Sequence, residues 1–89
     1  MFTRAAQLVR HLRQQPSDDE LLQLYGLFKQ VTLGDAPPNS SAALWDIKQK
    51  RKDAAWQQYR GVDQVDAMQS YVDLVSTLSA KYQLSHQPL

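Results

Sequence analysis

Apolar residues recur along this chain at intervals of three and four with polar residues between them, a spacing that predicts helices throughout and no strands. From Phe2 to Arg13, the residues Phe2, Ala5, Ala6, Val9 and Leu12 share one face, while Arg4, Gln7 and Arg13 lie off it. Pro16 closes a linker, and Ser17-Asp18-Asp19-Glu20 reads as a capping box. In it the Ser17 hydroxyl satisfies an orphan amide of the first turn, and Glu20 reaches back. The acids also suit the positive end of the helix dipole. The second helix carries Leu21, Leu24, Tyr25, Phe28 and Val31 and is expected to stop near Leu33, with Gly34 as a left-handed cap.

Asp35 to Asp46 contains Pro37, Pro38, Asn39, Ser40 and Ser41 and has no period, so it reads as a loop. Extended, such a connection reaches roughly 40 Å, more than the ~24 Å of a helix of about sixteen residues. A third helix can therefore run parallel to the second. Asp46 is its expected N-cap, Ile47, Ala54, Ala55, Trp56 and Tyr59 its apolar positions, Lys48, Arg51 and Lys52 its other face, and Gly61 its end. Asp63-Gln64-Val65-Asp66 opens a last helix, along which Val65, Met68, Tyr71, Val72, Val75, Leu78 and Tyr82 form a broad apolar stripe to about Lys81. The tail from Leu84 to Leu89 is expected to fray. The resulting fold class is all-α, four helices around one core.

The 89 residues, 43% hydrophobic and 21% charged, make a single small domain, residues 1–89, near the lower size at which one core suffices. No cysteine is present, which removes disulfides, thiolate chemistry and sulfur-ligated metals. The N-terminus lacks an apolar signal region because Arg4 and Arg10 interrupt it, and no stretch approaches the ~18 residues of a membrane span. The expectation is a cytoplasmic protein without stable membrane insertion. A net charge of +1 argues against a general nucleic-acid binder, although Lys48, Lys50, Arg51 and Lys52 form a local cluster that suits a small anion.

No catalytic constellation emerges. His11 and His86 have no ligand or nucleophile partner at helical spacing, Ser17, Ser40, Ser41 and Ser70 have capping, loop or surface explanations, and the paired acids Asp18-Asp19 and Asp63-Asp66 sit where helices begin. The three glycines are scattered and build no phosphate loop. Binding chemistry is better represented. Tyr25, Phe28 and Lys29 lie at i, i+3 and i+4, so a ring that can stack and an ammonium that can meet a phosphate leave one helix face together. If the long loop sets helix three beside helix two, Lys52 joins Lys29 on the same anion.

The run Pro16-Ser17-x-Asp19-x-Leu21-x-x-Leu24-Tyr25-Gly26-x-Phe28-Lys29-Gln30-x-Thr32-x-Gly34-Asp35 strongly resembles the signature of the acyl-CoA-binding protein family. Asp46-Ile47-Lys48 with Lys50, Lys52, Ala55 and Trp56 is similar to its third-helix segment, and Asp66-Ala67-Met68-Gln69-Ser70-Tyr71 to the start of its fourth. Phe2, Ala5, Ala6, Val9, His11 and Leu12 match its first helix. The resemblance implies an up-down-down-up four-helix bundle, not an enzyme, that binds medium- to long-chain acyl-CoA thioesters noncovalently and carries or buffers them. It implies that Tyr25, Lys29 and Lys52 hold the ribose 3′-phosphate, Phe28 contacts the adenine and Tyr71 supports the nucleotide. Arg10 stands where the family typically has lysine, Ala6 where the chain approaches the nucleotide, and Leu22 and Lys48 near the acyl chain and pantetheine. Phe28 replaces a common tyrosine, and Asp53 a frequent tryptophan. Acyl-CoA is then the one small-molecule partner, with no cofactor, no metal, no nucleic acid and a monomeric chain. The rival reading is a helical protein-interaction module with an aromatic groove.

Overall fold

The computed structural model describes residues 2–38, 43 and 45–83. Four helices follow one another: α1 (Phe2–Val9), α2 (Asp18–Leu33), α3 (Ile47–Gln57) and α4 (Gln64–Tyr82), with no strand among the described residues. Of the connection expected from Asp35 to Asp46, residues 39–42 and 44 lie outside the described residues. So does the tail from Leu84 to Leu89.

Pairings between side chains fix the helix directions. Lys52 of α3 reaches the ring of Tyr25, Ala55 lies against Gly26, and the Trp56 indole N–H donates to the Gly34 carbonyl at 2.8 Å, so α3 runs parallel to α2. Glu20 at the start of α2 meets Lys81 and Tyr82 at the end of α4, whereas Gln64 at the start of α4 donates to the Val31 carbonyl near the end of α2. These two are antiparallel. Phe2 packs on Tyr71, and the Arg13 amide donates to the Gln83 carbonyl at 2.8 Å, so α1 runs with α4. The order is up-down-down-up, with α2 packed on both α3 and α4, and α1 on α4.

Local chemistry explains most boundaries. The capping box is complete: Ser17 Oγ accepts from the Glu20 amide at 3.2 Å, and Glu20 Oε1 accepts from the Ser17 amide at 2.9 Å. Asp46 caps α3 by accepting from the Gln49 amide at 3.1 Å. Helix one is shorter than the pattern predicts. Its helical bonding ends at Val9, and Arg10, His11 and Leu12 bond back three residues in tight turns, while Arg13 is drawn to the end of α4. Leu12 nonetheless packs against the core, so the apolar spacing reported the face correctly and the helix end incorrectly. Gly34 has φ +83 and ψ −150, a glycine conformation other than the expected left-handed one; it points the Gly34 carbonyl at the Trp56 indole. Helix three ends at Gln57, and a turn carries the chain to Gly61 at φ +84.

The core is Ala5, Leu24, Leu27, Val31, Ala67, Tyr71, Val75 and Leu78, flanked by partly buried residues that include Leu21 and Tyr59. Burying each large aliphatic side chain here stabilises the fold by about 1.5–3 kcal/mol. Leu27 is absent from the expected face of α2, and its burial turns that face so that Tyr25 and Phe28 come to the edge. Ile47 and Val65, both expected on apolar faces, are each 67% exposed. They sit in the first turns of α3 and α4, where the chain enters each helix and none of the described residues buries them.

Gln30 is the one buried polar residue among those described. Its Nε2 donates to Asp35 Oδ1 at 2.8 Å and to the Val62 carbonyl at 2.9 Å, and the same Asp35 oxygen accepts from the Gly61 amide at 2.8 Å. This three-way tie joins the end of α2 to the turn before α4. It also holds the Asp35 carboxyl below the ordinary carboxylate range, chiefly through the Gly61 amide and then through Gln30.

Candidate functional site

The parallel pairing of α2 and α3 leaves a cleft between their first halves. Leu21, Leu22 and Tyr25 line one wall, Ile47, Lys48, Arg51 and Lys52 the other, with Asp18 at the first turn of α2. Its volume is about 470 Å³. On α2, Leu21, Leu22 and Tyr25 lie at i, i+1 and i+4, and on α3, Ile47, Lys48, Arg51 and Lys52 lie at i, i+1, i+4 and i+5, so each wall is one helix stripe. Leu21, Leu22 and Ile47 make its lining apolar, and Lys48, Arg51 and Lys52 make it cationic.

Tyr25 stands where the two stripes meet. The Lys52 ammonium lies 5.2 Å from the centre of its ring, and the Lys29 ammonium 5.6 Å from the same ring and 5.7 Å from that of Trp56. Two cations from different helices therefore share one aromatic platform, an arrangement held by cation–π attraction. Trp56 is itself fixed by its indole bond to Gly34.

Behind this platform, Phe2, Phe28 and Tyr71 form a ring cluster. Phe2 and Tyr71 meet edge to face at 4.9 Å, Phe2 and Phe28 are tilted at 5.7 Å, and Phe28 and Tyr71 at 6.3 Å. Phe28 is 40% exposed and available to stack on a planar group, whereas Tyr71 is 4% exposed and serves as the base beneath it. Burial raises the Tyr71 hydroxyl above its ordinary pKa, so it stays protonated.

The other expected site residues are placed less uniformly. Leu22 and Lys48 line the cleft. Ala6 is half-buried against the core, and Arg10 is exposed in the turn after α1; neither lines the cleft. Arg51, expected only as part of the cationic cluster, lines it too, as do Ile47, Asp18 and Leu21. Arg51 and Ile47 were legible in principle, lying one turn or less from Lys48 and Lys52 on the same helix stripe. Asp53 accepts from the Gln49 side chain at 2.9 Å. Among the described residues no group of three or more His, Asp or Glu side chains is arranged to hold a metal ion, and no helix is long and apolar enough to cross a membrane.

The sequence profile of the family described as "Acyl CoA binding protein" matches residues 1–75. The chain belongs to the acyl-CoA-binding protein family. A family member from Caenorhabditis elegans, acyl-CoA-binding protein homolog 1, is 46% identical over 81 residues, covering 91% of this chain and 93% of its own. The acyl-CoA-binding protein homolog of Manduca sexta is 44% identical over 79 residues, covering 89% and 88%. The solution structure of the acyl coenzyme A binding protein from yeast superposes with a TM-score of 0.72 at 40% identity, covering 92% of this chain and 94% of that one. Family membership and the four-helix arrangement thus agree.

Proposed function

We propose that this protein is a monomeric, noncatalytic carrier that binds medium- to long-chain acyl-CoA thioesters and transports or buffers them in the cytoplasm. The observation that carries the reading is the pair of ammonium groups over Tyr25 at one end of an apolar cleft. A ligand with several phosphate charges and one long alkyl chain fits both halves.

In this reading Lys29, Lys52 and Tyr25 hold the 3′-phosphate, Phe28 stacks on the adenine, and Tyr71 supports Phe28 from below. Leu22, with Leu21 and Ile47, takes the chain, while Lys48 meets the pantetheine. Arg10 and Ala6 act from outside the cleft, Arg10 as an exposed cation toward the nucleotide and Ala6 by leaving room for it. At roughly 0.8 kcal/mol per methylene, a palmitoyl chain offers on the order of 10 kcal/mol before ordering costs. Each charge-assisted bond to phosphate contributes about 1.5–3 kcal/mol, less where water reaches it. The chain supplies most of the affinity, and the phosphates decide which amphiphile is accepted.

Calorimetry with palmitoyl-CoA, palmitate and CoA tests this directly. The expected order is tight binding of palmitoyl-CoA and weak binding of both fragments, because each fills half the site. Equal affinity for palmitate and palmitoyl-CoA would refute it. Native mass spectrometry of the protein purified from cells separates the carrier, with bound acyl-CoA, from an interaction module with a bound polypeptide.

A further inference from the structure

The cations that line the cleft are not all engaged. Lys52 lies over the Tyr25 ring beside Lys29. Arg51, the residue before Lys52, lines the same cleft, is exposed, and makes no hydrogen bond, ion pair or ring contact among the described residues. The acids near it are placed elsewhere. Asp46 accepts from the Gln49 amide and Asp53 from the Gln49 side chain, while Asp18 stands two turns, roughly 10 Å, along α2 from Tyr25. Among the other cations, Lys48 is a further turn toward the start of α3, Lys50 does not line the cleft, and Arg10 lies outside it in the turn after α1. Arg51 is therefore the uncommitted cation next to the pair over Tyr25.

We propose that Arg51 holds the 5′-diphosphate of the bound acyl-CoA, and that this contact makes the cleft select CoA esters over pantetheine esters of the same chain. The assignment rests on the carrier reading. In that reading the 3′-phosphate takes Lys29 and Lys52, Lys48 meets the uncharged pantetheine, and no group lining the cleft yet answers the charge of the diphosphate. The 3′-phosphate and the diphosphate hang from one ribose, so the cation for the second must stand beside those that hold the first. Arg51 meets that condition, being adjacent to Lys52 on the same wall. Its chemistry suits the role as well. A planar guanidinium offers paired N–H donors to two phosphate oxygens at once, and it is less strongly hydrated than an ammonium, so it gives up less when the ligand displaces water from around it.

The test is calorimetry of the full chain and its Arg51→Ala variant with three ligands that share one alkyl chain: palmitoyl-CoA, 3′-dephospho-palmitoyl-CoA and S-palmitoyl-pantetheine. Arg51→Ala is expected to weaken palmitoyl-CoA about tenfold, the worth of a charge-assisted contact that water partly reaches. The same factor is expected for the 3′-dephospho ligand, which keeps the diphosphate, and no change for S-palmitoyl-pantetheine, which lacks it. The helical signal should be retained, since alanine at an exposed helix position favours the helix. Arg51→Lys should recover part of the loss by restoring the charge without the fork. Lys52→Ala gives the opposite pattern if it serves the 3′-phosphate, weakening palmitoyl-CoA and sparing the 3′-dephospho ligand. Three results would overturn the proposal: unaltered palmitoyl-CoA affinity in Arg51→Ala, a loss that vanishes with the 3′-dephospho ligand and so belongs to the 3′-phosphate, or a loss that persists with S-palmitoyl-pantetheine and so belongs to the chain. Each of these leaves the carrier reading standing. Palmitate binding the unaltered chain as tightly as palmitoyl-CoA would instead remove the carrier reading and this assignment with it.

Discussion

Gly26 in the middle of α2 lies directly against Ala55 of α3: a Cβ added at Gly26 would stand 2.8 Å from the Ala55 carbonyl carbon, closer still to its oxygen, and 2.8 Å from the Tyr59 ring. The obstacle is backbone, which cannot rotate aside. The absence of a side chain at this one position brings the two parallel helices close enough for Lys52 to reach the ring of Tyr25, the residue before Gly26.

Gly26→Ala is expected to push α3 away. Overpacking costs about 1–3 kcal/mol, and the gain in helix propensity returns up to about 1 kcal/mol. A net loss of about 1 kcal/mol in urea unfolding is expected, together with weaker palmitoyl-CoA binding. An alanine variant with unchanged stability and unchanged affinity would mean that the close approach is not needed.

Lys29→Ala and Lys52→Ala are each expected to lower palmitoyl-CoA affinity about tenfold, the value of one partly solvated charge-assisted bond, with the circular dichroism spectrum retained. Because both ammonium groups face one ring, the double variant should lose less than the product of the two single losses if they share one phosphate. Strict additivity in calorimetry would assign them to separate ligand groups.

Tyr71 distinguishes scaffold from contact. With 4% exposure and two aromatic neighbours, Tyr71→Ala should cost about 3–5 kcal/mol of stability. Tyr71→Phe keeps the ring and should stay within about 1 kcal/mol in denaturant unfolding. A fall in palmitoyl-CoA affinity in the phenylalanine variant, with stability retained, would locate a hydroxyl contact to ligand.

Acid stability should depend on Glu20. Its carboxyl is lowered from 4.5 to about 2, first by the Tyr82 hydroxyl at 2.5 Å, then by the Lys81 ammonium at 2.9 Å and the Ser17 amide. A depressed folded-state value means that the group stabilises the fold fully above its unfolded value and that this contribution is lost as pH falls toward about 2. Asp35 shifts in the same direction. Melting temperatures of the native chain should fall from about pH 5 downward. Glu20→Gln should start lower and show a flatter acid limb, and an equally steep limb would remove Glu20 from this role.

The amino-acid sequence by itself determined the helix count, the capping of α2 by Ser17 and Glu20 and of α3 by Asp46, and the Tyr25–Phe28–Lys29 cluster, because each depends on spacings within a turn or two of helix. It also carried the family signature. The tertiary structure decided what those spacings leave open. Where α1 ends depends on Arg13 being drawn to Gln83, and which residues of α2 go inward depends on Leu27, which rotates Tyr25 to the edge. The exposure of Ile47 at the start of α3 depends on its neighbours in the fold, none of which among the described residues buries it. Residues distant in sequence also needed the fold to meet: Lys52 joins Lys29 only because the connection lets α3 run parallel to α2 and Gly26 lets it come close. Periodicity specifies a face relative to its own helix axis, whereas the direction that face points is set by whichever neighbour buries the most apolar surface against it.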